Sequence, residues 1–328
     1  MTSPVVRALG ALARQAAGTG LRPSPSPGVL ADRADGTVVR CGSVVAKAHA
    51  PGTDTDALSS RIALAADPAL AGVLLAPLPQ PGSATGPGAA SPYLTELHGR
   101  PVSLWPHGEP VAPEDPDAAP WEEAAVLLAR LHRRDAGRLP GLPAMRGPAK
   151  AALAVARMRA ALPGDPATGP VLAAWRGLPP WARDEDRAPA HRAHHLCHGD
   201  LHLGQLVRHP APQGPWLLID VDDAGLGDPA WDLARPAAWY AAGLLPPDVW
   251  LRFLAAYRAE RGPAVRAEGD PWPELDVPAR AMTVQTAALA LAKAATEGRA
   301  PDEVEQVMID TCARIASLPP ELTGADSS

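Results

Sequence analysis

An aspartate at position 200, a glutamine at 205 and a further aspartate at 220 fall in two segments, HGDLHLGQ (198–205) and IDVDDAGLGDPAWDLA (219–234). Phosphoryl transfer needs this inventory: one carboxylate to orient a hydroxyl nucleophile and two oxygen ligands to hold magnesium against phosphates. QLVRH (205–209) and PWLLIDV (215–221) read as short strands joined by the breaker-rich turn PAPQG. A hairpin of that kind would bring Asp220 back beside Gln205 and Asp200. Taken alone, Asp200 would read as a loop carboxylate capping a turn. Its spacing from Gln205 and Asp220 is what suggests chemistry.

A lysine adds to this set. The chain has three lysines, Lys47, Lys150 and Lys293, and otherwise carries positive charge on arginine. Lys47 lies in SVVAKAH, near the end of a β-type run. A compact ammonium on a strand can act as a point charge on nucleotide phosphates where a guanidinium fork would not fit. The bland alternative is a solvated lysine on a strand edge.

Together the two segments resemble the aminoglycoside phosphotransferase and choline kinase family, whose fold is like that of protein kinases. The resemblance implies that Asp200 is the catalytic base, that His198 braces its loop, and that Gln205 and Asp220 are the magnesium ligands. It implies that Lys47 meets the nucleotide phosphates and that Asp228 and Asp232 are structural. The cofactors implied are ATP or GTP and Mg²⁺. The acceptor is a hydroxyl of a small molecule such as an aminoglycoside, an amino alcohol or a sugar. Gln205 departs from the family's usual asparagine, although its carbonyl offers the same hard oxygen one methylene further out. At this point the chain is similar to maltokinases, which also carry HGDxHLGQ, so a maltokinase-like sugar kinase is an alternative reading.

Two expected parts are not legible. There is no GxGxxG loop, and the first turn, ADGT, offers only Gly36 to a phosphate. The helix expected over 53–66 holds no glutamate to pair with Lys47, leaving Asp54, Asp56 or Glu96 as substitutes. Those gaps keep open a second class: a catalytically weak nucleotide-binding relative acting as a sensor or scaffold. His191, His194, His195, Cys197, His198 and His202 invite a zinc reading, but nothing there has HExxH or CxxC spacing. An internal brace at His198 with the others at the surface is the better account.

Around these residues the chain reads as α+β, with a two-lobed protein-kinase-like fold. A small β-rich N-terminal lobe over 1–105 would bind nucleotide, and a larger, mainly helical C-terminal lobe over 106–328 would carry catalysis and the acceptor. In the first lobe three antiparallel strands are expected within 29–48, turning at Asp35-Gly36 and Gly42-Ser43, then a helix capped by Thr53 or Asp54. A hairpin follows from YLTEL to RPVSLWP. Proline and glycine gather in an insertion at 77–92 and a hinge at 106–120. Amphipathic helices are expected at 121–133, 248–260 and 304–318, and a short one at the N-terminus. Alternation along LLID would point Asp220 and Asp222 to one side, with Asp220 the metal ligand and Asp222 the reserve. Forty prolines argue for long, kinked connections rather than helical arrays.

Length and composition set outer bounds. At 328 residues, 46% hydrophobic and 20% charged, the chain has material for a sizeable core. A net charge of −6 disfavours a nucleic-acid partner. Three scattered cysteines fit a reducing cytoplasm, and no apolar run is long enough for a membrane. Arg7 and Arg14 interrupt any signal-peptide apolar region. From 242 onward 13 Asp/Glu face 8 Lys/Arg, which would suit a cationic acceptor or be an ordinary acidic surface.

Overall fold

The computed structural model describes residues 3–18, 26–33, 35–83, 91–112, 114–115, 118–138, 141–190 and 192–318. His191 and parts of the expected insertion (84–90) and hinge (113, 116 and 117) lie outside the described residues. In chain order the elements are α1 (Pro4–Ala16), β1 (Gly28–Arg33), β2 (Gly36–Cys41), β3 (Val44–His49), α2 (Thr55–Ala65), β4 (Leu94–Leu97), β5 (Arg100–Pro106) and β6 (Glu109–Pro110). Then come α3 (Trp121–His132), α4 (Gly147–Ala161), α5 (Gly169–Arg176), β7 (His195–Cys197), β8 (Leu206–Arg208), β9 (Trp216–Leu218) and β10 (Gly225–Gly227). The chain ends in α6 (Ala230–Ala242), α7 (Pro247–Ala259), α8 (Trp272–Glu297) and α9 (Glu303–Ala316). The class is α+β, with a small antiparallel-sheet unit and a larger helical one. The first unit is Met1–Ala119, Leu139–Pro143 and Leu203–Asp222, and the second is Pro120–Arg138, Ala144–His202 and Asp223–Ser328.

The first unit is built on a five-stranded sheet in the order β1-β2-β3-β5-β4, antiparallel throughout. Alternation along β3 sends Val44, Ala46 and Ala48 into a core with Val6, Leu9 and Ala13 of α1. The same alternation leaves Lys47 and His49 on the other face of the strand. Lys47 sits in register with Val38 on one side and Ser103 on the other. Gly42 takes φ +62 in the turn between β2 and β3, a backbone that glycine adopts without strain. The expected cap of α2 resolves to Asp54, whose side chain accepts from the N–H groups of Asp56 and Ala57. A second, three-stranded sheet, β6-β8-β9, holds the expected hairpin. One rung beyond Leu206↔Leu218, the Ile219 N–H donates to the Gln205 carbonyl at 2.9 Å.

The second unit packs α4, α6 and α9 around α8, whose buried residues include Leu275, Met282, Val284, Ala287, Ala288 and Leu291. Burying one leucine completely contributes about 2 kcal/mol, so this seam holds the unit together. β7 pairs with β10, Cys197 opposite Gly225. Some of the prolines serve helices rather than connections. Pro4, Pro148, Pro170, Pro247 and Pro273 occupy the first turns of helices, where the missing N–H has no intrahelical partner to lose. Pro236 and Pro278 even lie inside α6 and α8.

Candidate functional site

In the first unit the candidate residues gather on Lys47. Its Nζ lies 2.6 Å from Asp220 Oδ1 and 2.9 Å from Asp222 Oδ2, pairing β3 with a loop 173 residues away in sequence. Burial alone would lower the lysine's pKa, but the two carboxylates outweigh it and hold the ammonium above its ordinary value. Burial likewise works against the Asp222 carboxylate, which Lys47 and His49 nonetheless hold well below the usual range.

The loop does not deliver Asp220 and Asp222 by strand alternation. β9 stops at Leu218, Asp220 takes φ +64, and Val221–Asp223 forms a 3₁₀ turn. A left-handed aspartate followed by a tight turn swings both carboxylates to the lysine while Val221 is buried. Gln205 ends another 3₁₀ turn, is buried, and adjoins Asp220 through the Ile219–Gln205 rung. Gly36 opens β2 opposite His49 and is half-buried.

Asp54 is spent on capping α2, and Asp56 and Glu96 are exposed, so the partners expected for Lys47 give way to Asp220 and Asp222. His49 is a residue that the sequence reading missed. Its Nδ1 lies 2.9 Å from Asp222 Oδ2 and its Nε2 2.8 Å from Ser103 Oγ, with the side chain almost wholly buried. The signal was available: His49 is two residues beyond Lys47 and therefore shares its face of β3.

In the second unit Asp200 sits among cations. Lys150 Nζ lies 2.7 Å from Asp200 Oδ2 and 2.7 Å from Asp223 Oδ2, Arg235 Nη2 donates to Asp200 Oδ1 at 3.1 Å, and Arg146 Nη1 lies 3.3 Å from Asp223 Oδ1. Burial would raise the Asp200 pKa, but Lys150, Arg235 and His202 overcome it and hold the carboxyl at about 2. The same surroundings act on His202: burial, then the Arg235 charge, push its imidazole down to about 4. Lys150 and Arg235 were also missed, although Lys150 carried the same compositional signal as Lys47.

The Asp200 loop is braced from α6. Asp232 accepts the backbone N–H of His198 at 2.6 Å on Oδ2 and that of Gly199 at 2.7 Å on Oδ1. Asp232 Oδ2 also meets His132 Nε2 at 2.9 Å, and His132 Nδ1 meets the Tyr257 hydroxyl at 2.8 Å. Thus Asp232 does more than sit in the first turn of α6: it ties the loop to α3 and α7. Asp228 accepts from the Ala230 N–H at 3.0 Å, just ahead of the N-cap Pro229 of that helix. Gly199 explains the glycine of HGD: φ is +83, and a Cβ there would collide with the Asp223 backbone.

His132, Cys197 and Asp232 lie close enough to share a metal ion. His132 is already committed to Asp232 and Tyr257, the Cys197 thiol donates to the His195 carbonyl, and burial raises that thiol well above its ordinary pKa, which keeps it protonated. Among the described residues no group drawn from the expected histidine-rich segment alone assembles a zinc site. α6, α8 and α9 line an open pocket of about 260 Å³ whose polar lining includes Asp276, Arg280 and Arg314.

The profile of the phosphotransferase enzyme family matches residues 37–272, well over half of the chain. Among solved structures, the chain is similar to a thermostable mutant of aminoglycoside phosphotransferase APH(4)-Ia in ternary complex with AMP-PNP and hygromycin B. The identity is 15% over 96% of this chain and 99% of that one, with a TM-score of 0.57. It is similar to a choline/ethanolamine kinase family protein from Mesorhizobium loti at 16% identity, covering 97% and 96% of the two chains with a TM-score of 0.53. A macrolide 2′-phosphotransferase, MphH from Brachybacterium faecium, matches at 19% identity over 95% and 99% with a TM-score of 0.50. No curated protein matches in sequence. At these identities the solved structures establish the kinase-like fold.

Proposed function

The chain belongs to the phosphotransferase enzyme family, whose members act on hydroxyl groups of small molecules, and on that premise we propose an ATP-dependent, magnesium-requiring small-molecule kinase. The observation that carries the nucleotide half of this reading is the bond between Lys47 and Asp220. A strand lysine and a loop carboxylate held side by side form the arrangement that phosphates and their counter-ion need.

Magnesium suits the donors present. The Asp220 carboxylate and the Gln205 carboxamide supply hard oxygens from adjoining positions of one hairpin, and the Asp220 side chain retains 35% exposure. When bound, the ion would neutralise charge on the phosphate oxygens. Lys47 then acts as a second, fixed positive charge on the phosphates, while the turn from Val221 to Asp223 keeps Asp220 at its post. Gly36, at the head of β2, is the backbone position assigned to approach the phosphates.

Asp200 is assigned to the acceptor hydroxyl. A carboxyl held at about 2 is a weak base, so its part is to orient the hydroxyl and take its proton late, after most of the bond to the leaving oxygen has broken. Lys150 and Arg235 keep it ionised and aimed, and His198 and Gly199 fix the loop through Asp232. The acceptor class inferred is a polyhydroxylated or amino-alcohol small molecule: an aminoglycoside, a choline-like alcohol or, following HGDxHLGQ, a maltose-like sugar. The net charge of −6 argues against a nucleic-acid acceptor, and among the described residues no helix is long and apolar enough to cross a membrane.

The test is magnesium-dependent release of ADP from ATP, and separately of GDP from GTP, with a panel of those acceptors, each product checked for an added phosphoryl mass. Acceptor-dependent release with a phosphorylated product is expected. Phosphate release that is indifferent to every acceptor, or activity undiminished by chelation, would overturn the reading.

A further inference from the structure

We propose that Asp222, steadied by His49 and Ser103, is the standing counter-ion of Lys47, which leaves Asp220 available to a metal ion. The proposal rests on the nucleotide reading above and assigns separate duties to two neighbouring carboxylates. Asp222 then does from the loop what an acidic side chain on α2 would otherwise do. α2 has a single carboxylate, Asp56, in its exposed first turn, and Asp54 before it is the cap.

The hydrogen-bond directions around His49 fix its part. Trp105 Nε1 can only donate, and it lies 2.9 Å from Ser103 Oγ, which therefore accepts. His49 Nε2 pairs with the same hydroxyl at 2.8 Å. An ionised carboxylate can only accept, so His49 Nδ1 carries a proton and donates it toward Asp222 Oδ2, 2.9 Å away. The strut runs Trp105, Ser103, His49, Asp222, and it anchors one carboxylate to two adjacent strands, β3 and β5.

Asp220 has no such strut. Among the described residues, beyond Lys47 it accepts only a long 3.4 Å contact from the Asp222 N–H, at a left-handed residue. The Lys47 side chain is only 15% exposed, so an ammonium stripped of both carboxylates would be strongly disfavoured. With Asp222 fixed, Asp220 can exchange the lysine for a metal and the ammonium keeps a partner.

Because the chain has only three lysines, amine labelling of the nucleotide-free, metal-free protein reads Lys47 directly by peptide mass spectrometry, with exposed Lys293 as the internal reference. Asp222→Asn is expected to speed Lys47 labelling by about tenfold, since one unit of lost ion-pair stabilisation corresponds to that factor, and Asp220→Asn by less than about threefold. His49→Gln should give an intermediate rise and Asp222→Glu should restore protection, each with an unchanged far-UV spectrum. On the metal side, Asp220→Asn should raise the Mg²⁺ concentration for half-maximal rate by about tenfold or more, while Asp222→Asn should raise KM for ATP and leave the Mg²⁺ requirement in place. Equal labelling in Asp222→Asn and wild type, or the larger rise in Asp220→Asn, would overturn the division of labour. Failure of ATP to protect wild-type Lys47 would instead count against the nucleotide reading and leave the Asp222 assignment standing.

Discussion

Lys47 in the first unit and Lys150 in the second each sit between two aspartates, yet the charge around them sums differently. Lys47 faces two carboxylates, Asp220 and Asp222, with His49 bonded to the second of them. Asp200 and Asp223 face Lys150, Arg146 and Arg235, an excess of positive charge. The first cluster can spare a carboxylate to a divalent cation. The second over-compensates its carboxylates, and the Asp200 pKa of about 2 is the result. On the proposed reading, one lysine motif in two charge settings serves metal and phosphate in the first unit and, in the second, an ionised carboxylate that aims a hydroxyl.

The largest expected effect breaks the comparison from the second unit. Asp200→Ala should lower kcat by about 10³-fold or more, the range for removing a positioned proton acceptor, with ATP affinity nearly unchanged. Single-turnover rates and nucleotide titration would check it, and normal turnover would refute the assignment. Asp220→Ala should differ in kind, weakening both metal dependence and rate.

Lys150→Met sharpens the comparison by removing one cation. Burial, no longer offset by the Lys150 charge, should lift the Asp200 pKa from about 2 toward and beyond its ordinary 3.8, visible by carboxyl ¹³C NMR titration. The sign follows from linkage: a depressed carboxyl stabilises the fold above pH 3.8 and loses that contribution as pH falls through about 2. The variant should therefore lose stability at neutral pH and be less sensitive to acid within that window. A Gly199→Ala variant should cost about 1 to 3 kcal/mol in urea unfolding, from the φ of +83 and the collision with the Asp223 backbone.

What the sequence revealed and what it withheld follow the same physical line. Asp200, Gln205, Asp220 and Lys47 could be singled out as candidates because two short motifs and a rare lysine carry them. The β3 and β8–β9 strands were legible from alternation and turn residues. Lys150, Arg235 and His49 come from separate elements, and only folding joins them to those motifs. Asp222 was first placed by strand alternation, an argument that a left-handed Asp220 invalidates even though the residue does arrive on the lysine's side. α8 passed unnoticed for a different reason. Its alanines are buried on several faces, so no periodic stripe marks it, whereas α9 and α3 show one.

The smallest expected effect sits on His202, where the positive excess of the second unit acts on a neutral group. Its pKa of about 4 comes from burial first and then from Arg235, with His198 and Lys150 adding to the repulsion and Asp200 opposing it. An unfolded histidine takes up a proton near pH 6.5, while the folded one does not until about pH 4, so stability falls as pH drops between those values. Discounted for partial exposure, the loss should be about 1 to 2 kcal/mol, and His202→Asn should abolish that slope. The window lies above the one belonging to Asp200, so denaturant unfolding at pH 7.5 and at pH 4.5 separates the two groups. An identical slope in variant and wild type would mean that the cations around Asp200 do not reach His202, and would confine the positive excess to the carboxylates themselves.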